Sequence, residues 1–480
     1  MQPLMNARRL MLSCLLEGFL WGMAGLLWPL SWRRKRPLPA HPQHAEDLDP
    51  TQAASIENPY HYYRVLRDQH PLYRPPGQDF YCVSRYHDIQ AVARDTRSYS
   101  SNIVNVLMSK SLGRQSAPAP GTGSQRNWGV VPVDVLAIQD PPAHKYQKLL
   151  THQIMSRDFV AALEPDVRSL AGQLIDQALQ RGEIEFMDEI AWYLPMCMAL
   201  RLVGFPEADY PQVKRGCAAA IRLLSGTLSA SQYMAASARA LALYRYCWSR
   251  YRRLKQAGGE HLGALLARAA QDPEHPLSDD EAVSIILQML IAGSDSSAST
   301  MGNAVRLLAQ DPALQQRLRE QPARLADFIE EVLRLESAFQ GHFRVVTREV
   351  EMHGQRLPPG TRVFLLWAAG NRDERVWDQA EVLDIDRDKR TRHLTFGHGL
   401  HACLGRELAR MEIRIVLETL LQRSGALHIS GPTPHVASLF TRTLQRLPLR
   451  LSRRSENARS WAEPDAPWAH SGRVGRTAAR

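Results

Sequence analysis

Apolar residues recur at helical spacing along five long stretches: Leu163–Gln180, Ser229–Gln256, Ser278–Ala309, Pro322–Glu336 and Leu404–Gln422. Asp-Pro or Gly breaks close several of them, as helix ends require. Strand signals are fewer and clustered. Phe80–Tyr86 reads as one strand. The runs Phe343–Met352 and Arg362–Trp367, with the turn signal Leu357-Pro358-Pro359-Gly360 between them, read as others. The pattern predicts a mainly α body with a small β region, one large domain from about Asp49 to Ser452. Ser98–Pro142 has little periodicity and much Ser, Gly, Pro and Asn, and a loop of that length is functional or disordered.

The ends differ from the body. Leu10–Trp32 is mostly apolar and exceeds the roughly 20 residues needed to span a bilayer. Two arginines precede it and four basic residues follow, a bias that leaves the body in the cytoplasm. Glu17 and Pro29 interrupt it. Residues 1–32 therefore read as a membrane anchor, as an interfacial helix, or as a start placed too early. Residues 33–48 form a Pro-rich basic linker, and 453–480 read as a disordered tail. Part of the net charge of +10 sits in these ends, and no aromatic-studded basic patch accompanies it, so nucleic acid is not an expected partner. None of the six cysteines falls in a Cys-x-x-Cys pair, which argues against a zinc or iron–sulfur site and for reduced thiols.

Four constellations carry chemistry. In Thr395–Gly405, "TFGHGLHACLG", Cys403 precedes a periodic helix, where amides and the helix dipole stabilise a thiolate. Gly397, Gly399 and Gly405 let the backbone pass close under something flat. Alone, Cys403 is as well read as a small hydrophobe at a helix start. In "EEVLR", Glu331 and Arg334 share a helix face, ordinarily a surface ion pair. In "LIAGSDSSAST" (Leu290–Thr300) an apolar helix turns small and hydroxylated, which suggests an interrupted backbone ladder admitting water, or a plain kink. The fourth is a scatter of cationic groups, His144, Arg344 and His401, suited to two anionic side arms.

Together and in this order they resemble the cytochrome P-450 family of haem-thiolate monooxygenases, with a body of bacterial length. Phe396, Gly399, Cys403 and Gly405 fit its Phe-x-x-Gly-x-x-x-Cys-x-Gly signature, with a Glu-x-x-Arg helix upstream. The resemblance implies the family's triangular-prism fold and haem b, with Cys403 as axial iron ligand. It implies Asp295 and Ser296 as the acid–alcohol pair that delivers protons for oxygen activation, and Glu331, Arg334 and Arg387 as a buried structural cluster. His144, Lys148, Arg344 and His401 match positions that hold the haem propionates. The family usually has threonine where Ser296 stands and arginine where Lys148 stands, and Ser297 is placed to share the work of Ser296. The implied partners are O2, a small hydrophobic substrate, and a separate ferredoxin or flavodoxin with its reductase. Candidate substrate contacts are Leu290, Ile291, Ala292, Phe339, Val345 and Val346, besides the loop Ser98–Pro142. Arg406, Arg410 and Arg414, at i, i+4 and i+8, suggest a basic face for an acidic electron donor. Two rival readings are a peroxide-driven peroxygenase on the same fold and a non-enzymatic haem sensor.

Overall fold

A computed structural model describes residues 2–27, 56–102, 132–273, 277–388 and 390–454. The linker 33–48, the bulk of the loop after Asn102 and the tail beyond Arg454 lie outside the described residues.

The five periodic stretches are helices at Glu164–Arg181, Ala230–Ala257, Asp279–Gln310, Leu325–Leu335 and Arg406–Arg423. Capping boxes start two of them: Ser229 with Gln232, and Ser278 with Glu281. Gly182 and Gly258, both at positive φ, stop the first two. The long helix Asp279–Gln310 is the spine. Its first half supplies Ile285, Ile286 and Leu290 to one apolar core, and its second half supplies Ala298, Met301, Ala304 and Leu308 to another. Contrary to expectation, it is helical throughout, with no interruption at the serines. Phe80–Tyr86 is also shorter as a strand than expected: pairing covers only Tyr81–Val83, and Tyr86 already opens the helix Tyr86–Arg94.

The β region is a five-stranded sheet in the order Leu72–Tyr73, Tyr81–Val83, Arg362–Leu365, His342–Val346 and Tyr99–Ser100. His342–Val346 and Arg362–Leu365 are antiparallel, with Arg344 opposite Val363. A three-stranded sheet joins Glu183–Glu185, Pro448–Arg453 and Ser424–Ile429.

At the N-terminus, Gln2–Leu27 is one helix packed along Ala230–Ala257. Glu17, the charge that interrupts the apolar stretch, forms an ion pair with Arg245. No described helix is long and apolar enough to cross a membrane.

The chain between the sheet and Cys403 has little regular structure and is fastened by polar contacts. Glu331 takes Arg334 in two parallel bonds of 2.9 Å, Arg387 at 3.2 Å and the amide of Asp384 at 3.1 Å. Arg334 donates onward to the carbonyls of Asn371, Ala380 and Val382. Both side chains of the central pair are 0% exposed. Asn371 then reaches the cysteine segment, donating to Thr395 Oγ1 and accepting from the Leu394 amide. Replacing Glu331 by Ala strands two buried guanidiniums, at a cost of about 3–5 kcal/mol. That is a large part of the roughly 5–15 kcal/mol a domain has. We expect little soluble protein and no bound cofactor from Glu331→Ala; a wild-type thermal midpoint would show the cluster to be dispensable.

Candidate active site

The cysteine segment is a closed loop. The Cys403 amide donates to the Phe396 carbonyl at 2.8 Å, and the Gly397 amide donates to Leu394. Gly399 has φ +73°, and a Cβ there would lie 2.7 Å from the carbonyl oxygen of Ala93, so only glycine fits. Cys403 lies ahead of the helix rather than on its first turn, since Gly405 is the N-cap and Arg406 the first helical residue. Its side chain is exposed on one side of the loop. Enclosure by protein on the other side raises the thiol pKa, while the Gly405 amide, Arg406, Arg410 and Lys148 pull it down.

Above this loop stand four groups that want an anion. The rings of His144 and His401 meet at 4.3 Å. Both ring nitrogens of His401, and Nδ1 of His144, are buried without a hydrogen-bond partner. Burial pushes His144 down to about 4 and His401 down to about 3. Arg344 is buried, donates only to its neighbouring carbonyl of Phe343, and is held down to about 10 by burial. Lys148 Nζ donates to the carbonyl of Leu400 at 2.7 Å, three residues from the thiol. Asp140 acts on His144 and Arg344 through space, but its oxygens bind Ser100 and Ser101, and the buried ring nitrogens left without partners are costly unless an anionic group joins them. An exposed thiol on a glycine loop beside that cluster fits a flat, dianionic, metal-bearing group such as haem.

The long helix presents its polar residues in several directions. Ser296 is half-buried and its hydroxyl donates back to the Ala292 carbonyl at 2.8 Å; Ala292 is exposed. Ser294 and Thr300 bond back in the same way, which leaves the ladder intact. Asp295 is buried, accepts from Thr443 at 3.3 Å through one oxygen and has no partner on the other. Burial pushes it up to about 7. Ser297 does not stand in for Ser296. It turns away and donates to Glu412 at 3.0 Å.

Glu412, Glu330 and His342 are absent from the sequence-derived site. Glu412, on the helix after Cys403, is buried and pushed up to about 8 by burial. Glu330, the other acid of "EEVLR", binds His393 at 3.1 Å and Arg410 at 2.6 Å. Arg410 in turn covers the half-buried Phe396 ring at 4.6 Å. His342 accepts from Trp367 Nε1 at 2.7 Å through Nδ1, which puts its proton on Nε2, and it packs against Phe339 and Phe440. The doubled acid was the only sequence signal for any of the three.

Two expectations need correction. Leu290, Val345 and Val346 are enclosed in the core, so of the candidate substrate contacts only Ile291, Ala292 and Phe339 keep exposed surface. The arginine row is not a free basic face either. Arg410 is bound to Glu330, Arg414 to Glu164 and Glu418, and Arg406, the exposed one, to its neighbour Glu407 at 3.5 Å.

Glu412 yields a pH test. Its folded pKa is raised, so its contribution to stability is fully present below the unfolded value of 4.5 and is lost as pH rises through about 8. Glu412→Gln should therefore lose less thermal stability than wild type between about pH 5 and 8. Equal losses would mean that the carboxyl is ionised throughout.

A family model described as Cytochrome P-450 matches residues 234–426. Cytochrome P-450 144 of Mycobacterium tuberculosis strain H37Rv is 31% identical over 83% of this chain and 90% of its own length. Cyclomarin C epoxidase CymV of Salinispora arenicola is 29% identical over 78% and 90%. The crystal structure of CalO2 superposes with a TM-score of 0.75 at 29% identity, covering 84% of this chain and 98% of its own. With the fold, the open thiol and the cluster of Arg344, Lys148, His144 and His401 in agreement with these likenesses, the chain belongs to the cytochrome P-450 family, whose members are haem-b monooxygenases that depend on an electron-transfer partner.

Proposed function

We propose that Cys403 would hold haem iron through its thiolate and that the protein inserts one atom of O2 into an apolar or amphipathic small molecule. Electrons come from a separate ferredoxin or flavodoxin with its reductase, and the catalytic body is residues 49–452. The observation that carries this reading is an exposed thiol on a closed glycine loop, beside buried ring nitrogens of His144 and His401 that have no hydrogen-bond partner and a buried Arg344 in no ion pair among the described residues. When bound, the haem supplies the iron chemistry that activates O2, and thiolate ligation favours O–O cleavage.

The chain's own residues bind, orient and move protons. Arg344 and Lys148 would hold the two acid side arms of the cofactor, and His144 and His401 would complete their hydrogen bonds. Asp295, pushed up to about 7, can take up and give off a proton near neutral pH one residue before Ser296. Ser296 passes it on by letting go of the Ala292 carbonyl and rotating toward the open side. It lacks the methyl that confines a threonine, so the rotation is less restricted and the timing of delivery looser. Ile291, Ala292, Phe339 and Phe440 form the apolar wall for substrate, with the Nε2 proton of His342 available to a polar end. The likeness to an epoxidase supports oxygen transfer to a small organic molecule. Of the arginine row, Arg406 is the one exposed residue, paired with its neighbour Glu407 at 3.5 Å, and it is the candidate to meet an acidic donor.

The deciding experiment is a reduced, carbon-monoxide difference spectrum of wild type and Cys403→Ala. A red-shifted Soret band in wild type and its loss in the variant are expected; a histidine-type spectrum in both would overturn the assignment of Cys403. Ser296→Ala should release several-fold more hydrogen peroxide per electron pair, while Ser297→Ala, turned toward Glu412, should not. Unchanged coupling in Ser296→Ala would remove that hydroxyl from the proton path.

A further inference from the structure

Beside the cysteine loop lies a buried charge cluster that the proton path does not use. Arg410 Nε and Nη2 donate to the two oxygens of Glu330 at 2.6 and 3.0 Å. His393 Nε2 meets the second of those oxygens at 3.1 Å, and its Nδ1 accepts from the Thr395 amide at 3.3 Å. An Nδ1 that accepts carries no proton, so the ring is neutral and donates to Glu330 through Nε2. Burial pushes the Glu330 carboxyl up, but the bonds from His393 and Arg410 outweigh it and hold the group down to about 2, ionised at neutral pH. The side chains of Arg410, Glu330 and His393 are only 14, 4 and 1% exposed. The cluster is thus one cation and one anion largely out of water. A second carboxylate, Glu407, lies 3.9 Å from Arg410 and is 33% exposed.

This cluster acts on the thiol. The Arg410 guanidinium covers the Phe396 ring at 4.6 Å, and the Phe396 carbonyl accepts from the Cys403 amide at 2.8 Å. Of the two arginines that favour negative charge on Cys403, Arg406 is 53% exposed and screened by water and salt. Arg410 is the enclosed one, and a charge in low dielectric acts more strongly over the same distance. Stability alone does not account for the pair, because well-packed apolar residues in place of a buried ion pair are often as good or better. What the pair adds is a fixed field: Arg410 draws on the thiolate, and Glu330 offsets that draw. We propose that Glu330 and Arg410, acting in opposition, set the reduction potential of the iron held at Cys403. One electron from the donor protein adds one negative charge to the site, which a nearby cation favours and a nearby anion opposes. The inference rests on Cys403 as the ligand. It gives Glu330 a task separate from that of Glu331, which fastens the fold through Arg334.

The test is the midpoint potential of the full-length holoenzyme, measured by spectroelectrochemical titration, for wild type, Glu330→Gln, Arg410→Gln and the double variant. Glu330→Gln should shift it up, Arg410→Gln should shift it down, and the double variant should return close to wild type. Glu407→Gln should shift it up by less, since water screens that carboxylate. Lost packing alone would instead move both single variants the same way and the double variant further. That pattern, or unmoved potentials, would overturn the proposal; so would loss of haem from the Glu330 and Arg410 variants with no shift in Glu407→Gln, which would assign the pair to folding of the loop. Carbon-monoxide spectra separate the two levels of the argument. A red-shifted Soret band in every variant with unmoved potentials would leave Cys403 standing and remove the tuning pair, whereas a wild type without that band would remove both.

Discussion

The site depends on one buried guanidinium. Arg334 has five N–H groups and five acceptors: two oxygens of Glu331 and the carbonyls of Asn371, Ala380 and Val382. Lysine, with three donors and no planar fork, cannot meet that set. The carbonyls belong to a stretch that has almost no ladder hydrogen bonds of its own, so its path is set by what it donates to and accepts from. Because Asn371 also binds Thr395 and Leu394, the position of the helix Leu325–Leu335 is passed to the loop that carries Cys403. Glu330, one residue along the same helix, reaches the far side of that loop through Arg410 and His393. Two neighbouring acids thus hold the loop from both ends.

Much of this was legible in the sequence, and the failures share a cause. Helix existence followed from periodicity, and four of the five predicted helices begin and end within about two residues of the observed bounds, since caps are local signals. The exception opens on a separate 3-10 turn, Pro322–Arg324, ahead of the helix Leu325–Leu335. The cysteine loop was legible because glycine density reports a backbone constraint that the chain cannot meet otherwise. What periodicity does not report is which neighbour a face meets. Leu290 and Val346 are apolar in the way a pocket wall is apolar, yet they point into packed core. Arg410 and Arg414 have the spacing of a solvated face but find Glu330, Glu164 and Glu418 on other elements. Ser297 and Glu412 are 115 residues apart, and nothing local to either predicts their contact. Glu17 spoke against a membrane-spanning reading, and its partner Arg245 is on the body, 228 residues away, where no local signal could place it.

The hydroxylated stretch of the long helix shows how a structural element acquires a reactive side. Most of its polar side chains serve a neighbour: Asp295 meets Thr443, Ser297 meets Glu412, and Ser299 and Asn303 both donate to the Arg442 carbonyl. Gly302 serves by absence, since a Cβ there would stand 2.4 Å from Met187 Sδ. These contacts hold the helix in register against the chain on three sides, so its backbone needs no break to be positioned. Ser296 is different: its one hydrogen bond goes to its own helix, and it keeps exposed surface. A back-bonded hydroxyl gives up only a weak local interaction when it rotates, whereas Ser297 would leave a buried carboxyl unsatisfied. The freedom to rotate therefore falls to Ser296, the one serine of this pair whose departure costs the fold least.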